Sequence, residues 1–423
     1  MHRTMRVVVL GLLTVTMSAA SAAAEDARWV QYVPGGIEAR AITDKMQCPP
    51  AAIDNVAVPM RTRSEPGGDF PIRVCSLPIT PGAKLVTIDG VPVPLPVARP
   101  NRILLIGDTG CRLKDSLVQA CNDSVLWPFQ VGADVASTLR PDLVIHVGDF
   151  YYRETACPAG NLGCAGSPFG DTWASWRADF FSPARLLLET APWVFVRGNH
   201  EECERGGLGW VRTLDPYPYD PKAGRDGCLK TADPFVTDIG GVSVVVMDTA
   251  SAREERADEQ EAALYREQFK SVAKLAPSGI VWLAFHRVIW STDGTEVPEK
   301  SGGDNKTLAL AAKGNIPGNV QLMLNGHQHK FEVDAYVEDI PVAIISGHGG
   351  DLLSPNAPTN PVGLVVNGMH IKAGIAKPRT FGFSMLERTP DAAPVQWTIT
   401  NYGTHGQPFG RCRIDGRSVD CGN

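Results

Sequence analysis

Lysine and arginine are nowhere gathered into a long run in this 423-residue chain, and the formal charge is −6. Overall electrostatics therefore gives no support for binding nucleic acid or an anionic membrane. An anionic substrate would have to be drawn locally, by bound cations. No Cys-x-x-Cys pair occurs, and no cysteine stands at zinc-finger spacing from a histidine. Internal repeats and low-complexity tracts are absent too. Past the N-terminus there is no second long apolar segment, so the mature chain is expected to be soluble. What remains is ordinary globular composition, 43% apolar and 20% charged, long enough for one large domain and a smaller one.

The N-terminus is informative. Arg3 and Arg6 precede the apolar run Val7 to Met17, and the small residues Ser18 to Ala24 follow. A positive start, a short apolar core and an Ala-x-Ala-like end are the parts of a secretory signal peptide. The run is too short for a permanent span, which takes about 20 residues. Residues 1–24 are thus expected to be removed, with cleavage after Ala24 or after Ala22, leaving a periplasmic or secreted protein. Ten cysteines suit that route, because disulfides persist in oxidising compartments. Sequence does not fix their connectivity. The expected pairs are the short-range ones: Cys48–Cys75, Cys111–Cys121, Cys157–Cys164, Cys203–Cys228 and Cys412–Cys421.

Residues 25–98 are rich in Pro, Gly, Val and Ile, with short alternating stretches such as Lys84 to Gly90 and frequent turn signals. They read as a small β-rich domain. From residue 99 onward the pattern changes. Apolar runs of strand length end abruptly in polar clusters: Ile103–Ile106 before Gly107, Leu143–Val147 before Gly148, and Trp193–Val196 before Gly198. Val244–Met247, Ile280–Phe285, Val320–Leu324 and Val342–Ile345 continue the series. Runs of this kind are strands buried on both faces. Helical stretches lie between them, at Trp127–Leu139 and across the charged segment Ala252–Leu275. The pattern predicts an α/β (α+β) layered domain over residues 99–423, with ligands at strand ends.

Those strand ends carry Asp108, Asp149, Asn199 with His200, His286, and the pair His327 and His329. Carboxylates with imidazoles and one amide suit iron, zinc or manganese better than a thiolate-loving ion. One carboxylate can bridge two metals.

Gly107-Asp108-x-Gly110, Gly148-Asp149-x-x-Tyr152, Gly198-Asn199-His200-Glu201, a strand-ending His286 and Gly326-His327-x-His329 resemble the calcineurin-like metallophosphoesterases. They cover residues 107–329 in that family's order. The set looks most like the purple acid phosphatases. The wider family places a metal-binding histidine where Gly110 stands, and Tyr152, three residues after Asp149, looks like the replacement. The resemblance implies a ββ sandwich flanked by helices. It further implies Fe(III) held by Asp108, Tyr152 and His329, with a divalent Fe, Zn or Mn held by Asn199, His286 and His327, and Asp149 bridging. A metal-bound hydroxide would then hydrolyse a small phosphate monoester. His200 resembles the histidine that contacts substrate phosphate, and Glu201 is expected to orient it. One departure stands out: relatives often carry a further histidine just after this block, but Arg287 to Glu296 holds none, leaving Arg287, Asp293 or Glu296 as substitutes in leaving-group chemistry.

Of the other histidines, His146 reads as core, His370 and His405 as surface, and His348 as a candidate for the pocket rim. The loop from Glu202 to Thr231 is a candidate substrate wall through Arg205, Trp210, Arg212 and Tyr217. Two competing functions remain at this level. One is a phosphodiesterase, nucleotide or phospholipid-headgroup hydrolase on the same site. The other is a catalytically silent metal-bearing binding protein, against which stands the fact that no position of the ligand set is missing.

Overall fold

The computed structural model describes residues 27–292, 305–354, 356–391 and 396–422. The expected signal peptide lies outside the described residues, as do Asp293 and Glu296 of the proposed leaving-group substitutes.

Two large sheets face each other. In the first, strands Arg102–Ile106, Leu143–His146, Trp193–Phe195 and Arg28–Val33 run parallel at the centre. The antiparallel strands Gly382–Arg388, Gln396–Gly403, Pro408–Asp415 and Ser418–Gly422 extend one side. In the second, Val242–Val246, Ile280–Ala284, Val320–Asn325 and Val342–Ser346 are parallel, and Phe331–Tyr336 returns antiparallel beside them. The inner faces pack Leu105, Ile145 and Val194 against Val244, Trp282, Leu324 and Ile344, all fully buried. Both outer faces are covered as well. Helix Phe129–Thr138 and an aromatic cluster around Phe150, Trp176 and Phe180 cover one, and helices Glu259–Leu275 and Lys306–Ala312 the other. This is the layered ββ sandwich flanked by helices, with a β-rich N-terminal region.

That N-terminal region does not stop at a sheet boundary. Strands Arg28–Val33, Gly36–Thr43, Arg73–Pro78 and Arg61–Ser64 lengthen the first large sheet, with Gln31 in register with Trp193. The strands Ala51–Ile53, Val56–Val58, Val86–Ile88 and Val91–Pro92 form a separate small sheet.

All five expected cystine pairs are present, and no cysteine is free. Among the described residues, no helix is long and apolar enough to cross a membrane. One helix differs from expectation. The charged segment from Ala252 becomes helical only at Glu259, because the Asp258 side chain accepts the Glu261 N–H and caps the N-terminus there. Residues 252–257 are loop, and that loop reaches the site.

Candidate metal centre

Every candidate ligand sits just past the C-terminal end of a parallel strand, and the two sheets bring these ends together. Asp108, Asp149, Tyr152 and Asn199 come from the first sheet, and His286, His327 and His329 from the second. Asp108, Asp149 and His327 hold φ of 55°, 59° and 70°. This left-handed region disfavours side chains, and such strain concentrates where a site needs it.

The side chains converge. The Asn199 Oδ1 atom lies 2.9 Å from His286 Nε2 and 2.8 Å from His327 Nδ1. Asp149 Oδ2 is 3.1 Å from His286 Nε2 and 2.8 Å from the Tyr152 hydroxyl. That hydroxyl is also 3.1 Å from both Asp108 Oδ1 and His329 Nε2. Ligand atoms of Asp149, His286 and His327 all fall within 4.8 Å of one another.

Protonation shows why this arrangement fits cations. Each histidine has an acceptor on its outer nitrogen: Val147 O for His286 Nδ1 at 2.7 Å, Leu352 O for His329 Nδ1 at 2.6 Å, and the Glu254 carboxylate for His327 Nε2. With the ring proton on that side, the inner nitrogens turn lone pairs toward Asn199, Asp149 and Asp108. Those partners are acceptors too, and one phenol proton cannot satisfy them all. A crowd of nitrogen and oxygen lone pairs is the donor set of a metal site. Without a cation, a proton takes its place. Burial opposes the charged form of His286, but Asp149 outweighs it and lifts the ring to about 9. Burial likewise raises Asp149, yet His286 and His200 hold its carboxyl well below the usual range. Burial and the nearby Asp149 and Asp108 carboxylates push the Tyr152 phenol well above its ordinary value.

The pairing of Gly110 with Tyr152 has a steric cause. A Cβ at Gly110 would stand 2.8 Å from Phe150 O and 2.9 Å from the Tyr152 ring. The phenol ring occupies the room that a side chain at 110 would need. Tyr152 is itself fixed by its backbone N–H, which donates to Asp179 at 2.8 Å, and Arg112 lies over its ring at 4.7 Å.

Around this core several expectations change. Glu201 does not orient His200. Its carboxylate is buried and accepts the backbone N–H groups of Asp149, Phe150, Tyr151 and Gly198 at 2.9–3.2 Å, bracing the Asp149 turn. Burial and Asp149 raise it to about 8. The partners of His200 are Glu154, 2.7 Å from Nδ1, and Arg205. His200 is buried with its ring 3.8 Å from that of Tyr152, and burial lowers it to about 4. His348 is also buried and bonds Asn401, so it is not at the rim. His146 is core, bonded to Thr109 and stacked on Phe150, while His370 and His405 are exposed.

Of the four residues expected to form a substrate wall, Arg205 reaches the centre, where its Nη1 donates to Asn199 O at 3.0 Å. Trp210 and Tyr217 instead line a separate cleft of about 510 Å³ with Phe195, Phe235 and Met247. Arg212 stacks over Phe70. Sequence reading missed Glu154, Glu254, Asp179 and Asp351. Arg112 binds Asp351 through Nε at 3.0 Å, and Asp351 Oδ2 lies 3.4 Å from His329 Nδ1. Glu154 alone had a visible signal, two residues beyond Tyr152.

The fold and this cation site together define a metal-dependent phosphoesterase. The profile of the calcineurin-like phosphoesterases matches residues 101–331, more than half the chain, and the chain belongs to that family. Sequence comparison with curated proteins finds no match. Among solved structures, it is similar to the purple acid phosphatase PPD1 from seeds of yellow lupin (Lupinus luteus), at 14% identity and a TM-score of 0.56. That match spans 92% of this chain and 74% of the lupin protein. It is also similar to PhoD, at 12% identity and a TM-score of 0.51, over 93% of this chain and 91% of PhoD. At such identities the likeness is one of fold.

Proposed function

We propose that the protein is an exported acid phosphatase of the purple type, hydrolysing phosphate monoesters at a two-metal centre. The observation that carries this reading is the convergence of three histidines, each pinned from outside, on Asp149, Asn199 and the Tyr152–Asp108 pair. Asp108, Tyr152 and His329 would hold Fe(III). Asn199, His286 and His327 would hold a divalent Fe, Zn or Mn, and Asp149 would bridge. Tyr152 in the space beside Gly110 supports the purple acid type over the wider family.

Such ions supply a water activated for in-line attack and neutralise charge on the phosphoryl oxygens. The chain's own residues set the geometry. Glu201 braces the Asp149 turn through four backbone N–H groups, and the His200 N–H donates to Asp149 Oδ1 at 2.8 Å. Arg205, anchored on Glu154 and Asn199 O, is a cation beside the centre that suits a phosphoryl oxygen. The five disulfides support export.

The test pairs a rate with a colour. An aryl phosphate monoester should be hydrolysed faster than the matching diester. The metal-replete protein should show a visible tyrosinate-to-iron band that Tyr152→Phe abolishes. A faster diester rate, or a colourless protein with iron supplied, sinks the purple monoesterase reading and leaves the wider family.

A further inference from the structure

The three candidate histidine ligands are not held alike. The outer nitrogens of His286 and His329 face main-chain carbonyls, Val147 O and Leu352 O, which no substitution removes. His329 Nδ1 has the Asp351 carboxylate at 3.4 Å besides its carbonyl, whereas the outer nitrogen of His327 rests on a side chain, that of Glu254, in place of a carbonyl.

Glu254 is delivered there by a loop that is itself tied down. Carbonyls in it and just before it are engaged: Ala250 O by Arg287 Nε at 2.8 Å, Ala252 O by Asn305 Nδ2 at 2.8 Å, and Glu254 O by Lys306 N at 3.2 Å. Asp258 ends the loop by capping the following helix. The Glu254 carboxylate also receives Arg287 Nη1 at 2.5 Å, and Arg287 Nη2 reaches Glu202 at 3.2 Å. The Arg287 side chain is only 12% exposed, so this is no loose surface pair. Seen from His327, the order is ring, carboxylate, guanidinium, carboxylate, running from the centre to the turn that bears Asn199.

We infer that Glu254 is the positioning residue of the divalent half of the centre, fixing His327 in the tautomer and orientation that turn Nδ1 toward Asn199. This rests on the two-metal reading above. A carboxylate that accepts the outer N–H of a metal-binding imidazole fixes its orientation and raises its basicity, and losing such a partner typically costs about 10- to 100-fold in metal affinity. The effect falls on one half only. His329, Asp108 and Tyr152 do not touch Glu254, so the Fe(III) half keeps its own pins.

The experiment is metal retention by the full chain under graded chelation, with both ions counted and the visible band followed. Wild type comes first: a chain that holds no second ion overturns the two-metal reading itself, whatever Glu254 does. Given two ions, Glu254→Ala should release the divalent ion at about 10- to 100-fold higher free-metal concentration, with the tyrosinate band retained. Glu254→Gln keeps an acceptor oxygen in reach and should stay within about threefold of wild type. Glu254→Asp keeps the charge but withdraws the oxygen, and should behave like the alanine variant. Unchanged retention in Glu254→Ala overturns the inference, as does equal loosening of both ions. A harmless Glu254→Asp beside a damaging Glu254→Gln would show that charge rather than contact acts, which overturns it equally.

Discussion

Gly198→Ala is the sharpest perturbation of this centre. A Cβ there would fall 2.1 Å from Asp149 Oδ1, 2.2 Å from Asp149 N and 2.8 Å from its Cγ. Ordinary contact begins near 3.4 Å, so the carboxylate must retreat by about 1.3 Å, the difference between 3.4 and 2.1 Å. Retreat is opposed, because the Asp149 N–H donates to Glu201 at 2.9 Å and its carbonyl accepts from Thr109 N at 3.0 Å. Overpacking of this kind costs about 1–3 kcal/mol of stability. Displacing a group at the reaction centre by ~1 Å costs about 100-fold in rate. The expected result is a folded enzyme with its turnover of an aryl phosphate monoester down about 100-fold and its metal content below that of wild type. Urea unfolding measures the first effect; phosphate release and metal analysis measure the second. Gly318→Ala, with nothing within 4 Å of the new Cβ, is the matched control. A Gly198→Ala enzyme within about threefold of wild type, with full metal content, would refute the reasoning.

Asp149→Asn should lower turnover more than about 100-fold, beyond the 10- to 100-fold typical of losing an outer partner; a fully active variant overturns the proposed bridge. Opening Cys203–Cys228, which closes a loop of sequence separation 25, by double substitution to serine should lower the urea-derived unfolding free energy by about 3.5 kcal/mol. No change there means that the Arg197 bonds to Leu229 O and Glu201 O hold the loop without it. Burial lifts Asp171 to about 6, against hydrogen bonds from Trp176 Nε1 and Leu208 N. Its folded value lies above the unfolded one of about 3.9, so the stability it contributes is full below that value and lost as pH rises through about 6. Between pH 4 and 6 wild type should therefore lose stability relative to Asp171→Asn, and parallel pH profiles would contradict the shift.

The blocks that carry the centre were legible because each marks where a buried apolar strand stops. A strand has a period and a polar cluster ends it visibly, so Asp108, Asp149, Asn199 and His327 could be placed from local pattern. Glu254 could not. The stretch Ala252–Ala257 has helical composition, and only the cap at Asp258 shows that it is a loop. Glu201 misled for another reason: neighbours in a tight turn point apart, so it faces the Asp149 backbone while His200 faces Tyr152. His348 follows a strand and looks functional, but its partner Asn401 lies 53 residues downstream, on a strand of the opposite sheet. The same non-locality governs the N-terminal strands. Their alternation was readable, whereas the pairing of Gln31 beside Trp193 was not.

The candidate ligands are divided between the sheets, four from one and three from the other. Neither sheet alone offers more than part of the proposed coordination shell, so a half-assembled chain has nowhere to lodge a metal ion firmly. Firm loading of the proposed centre requires the closed sandwich. On the proposed function, activity therefore reports on assembly: the chain becomes a catalyst only once both halves of its architecture have met.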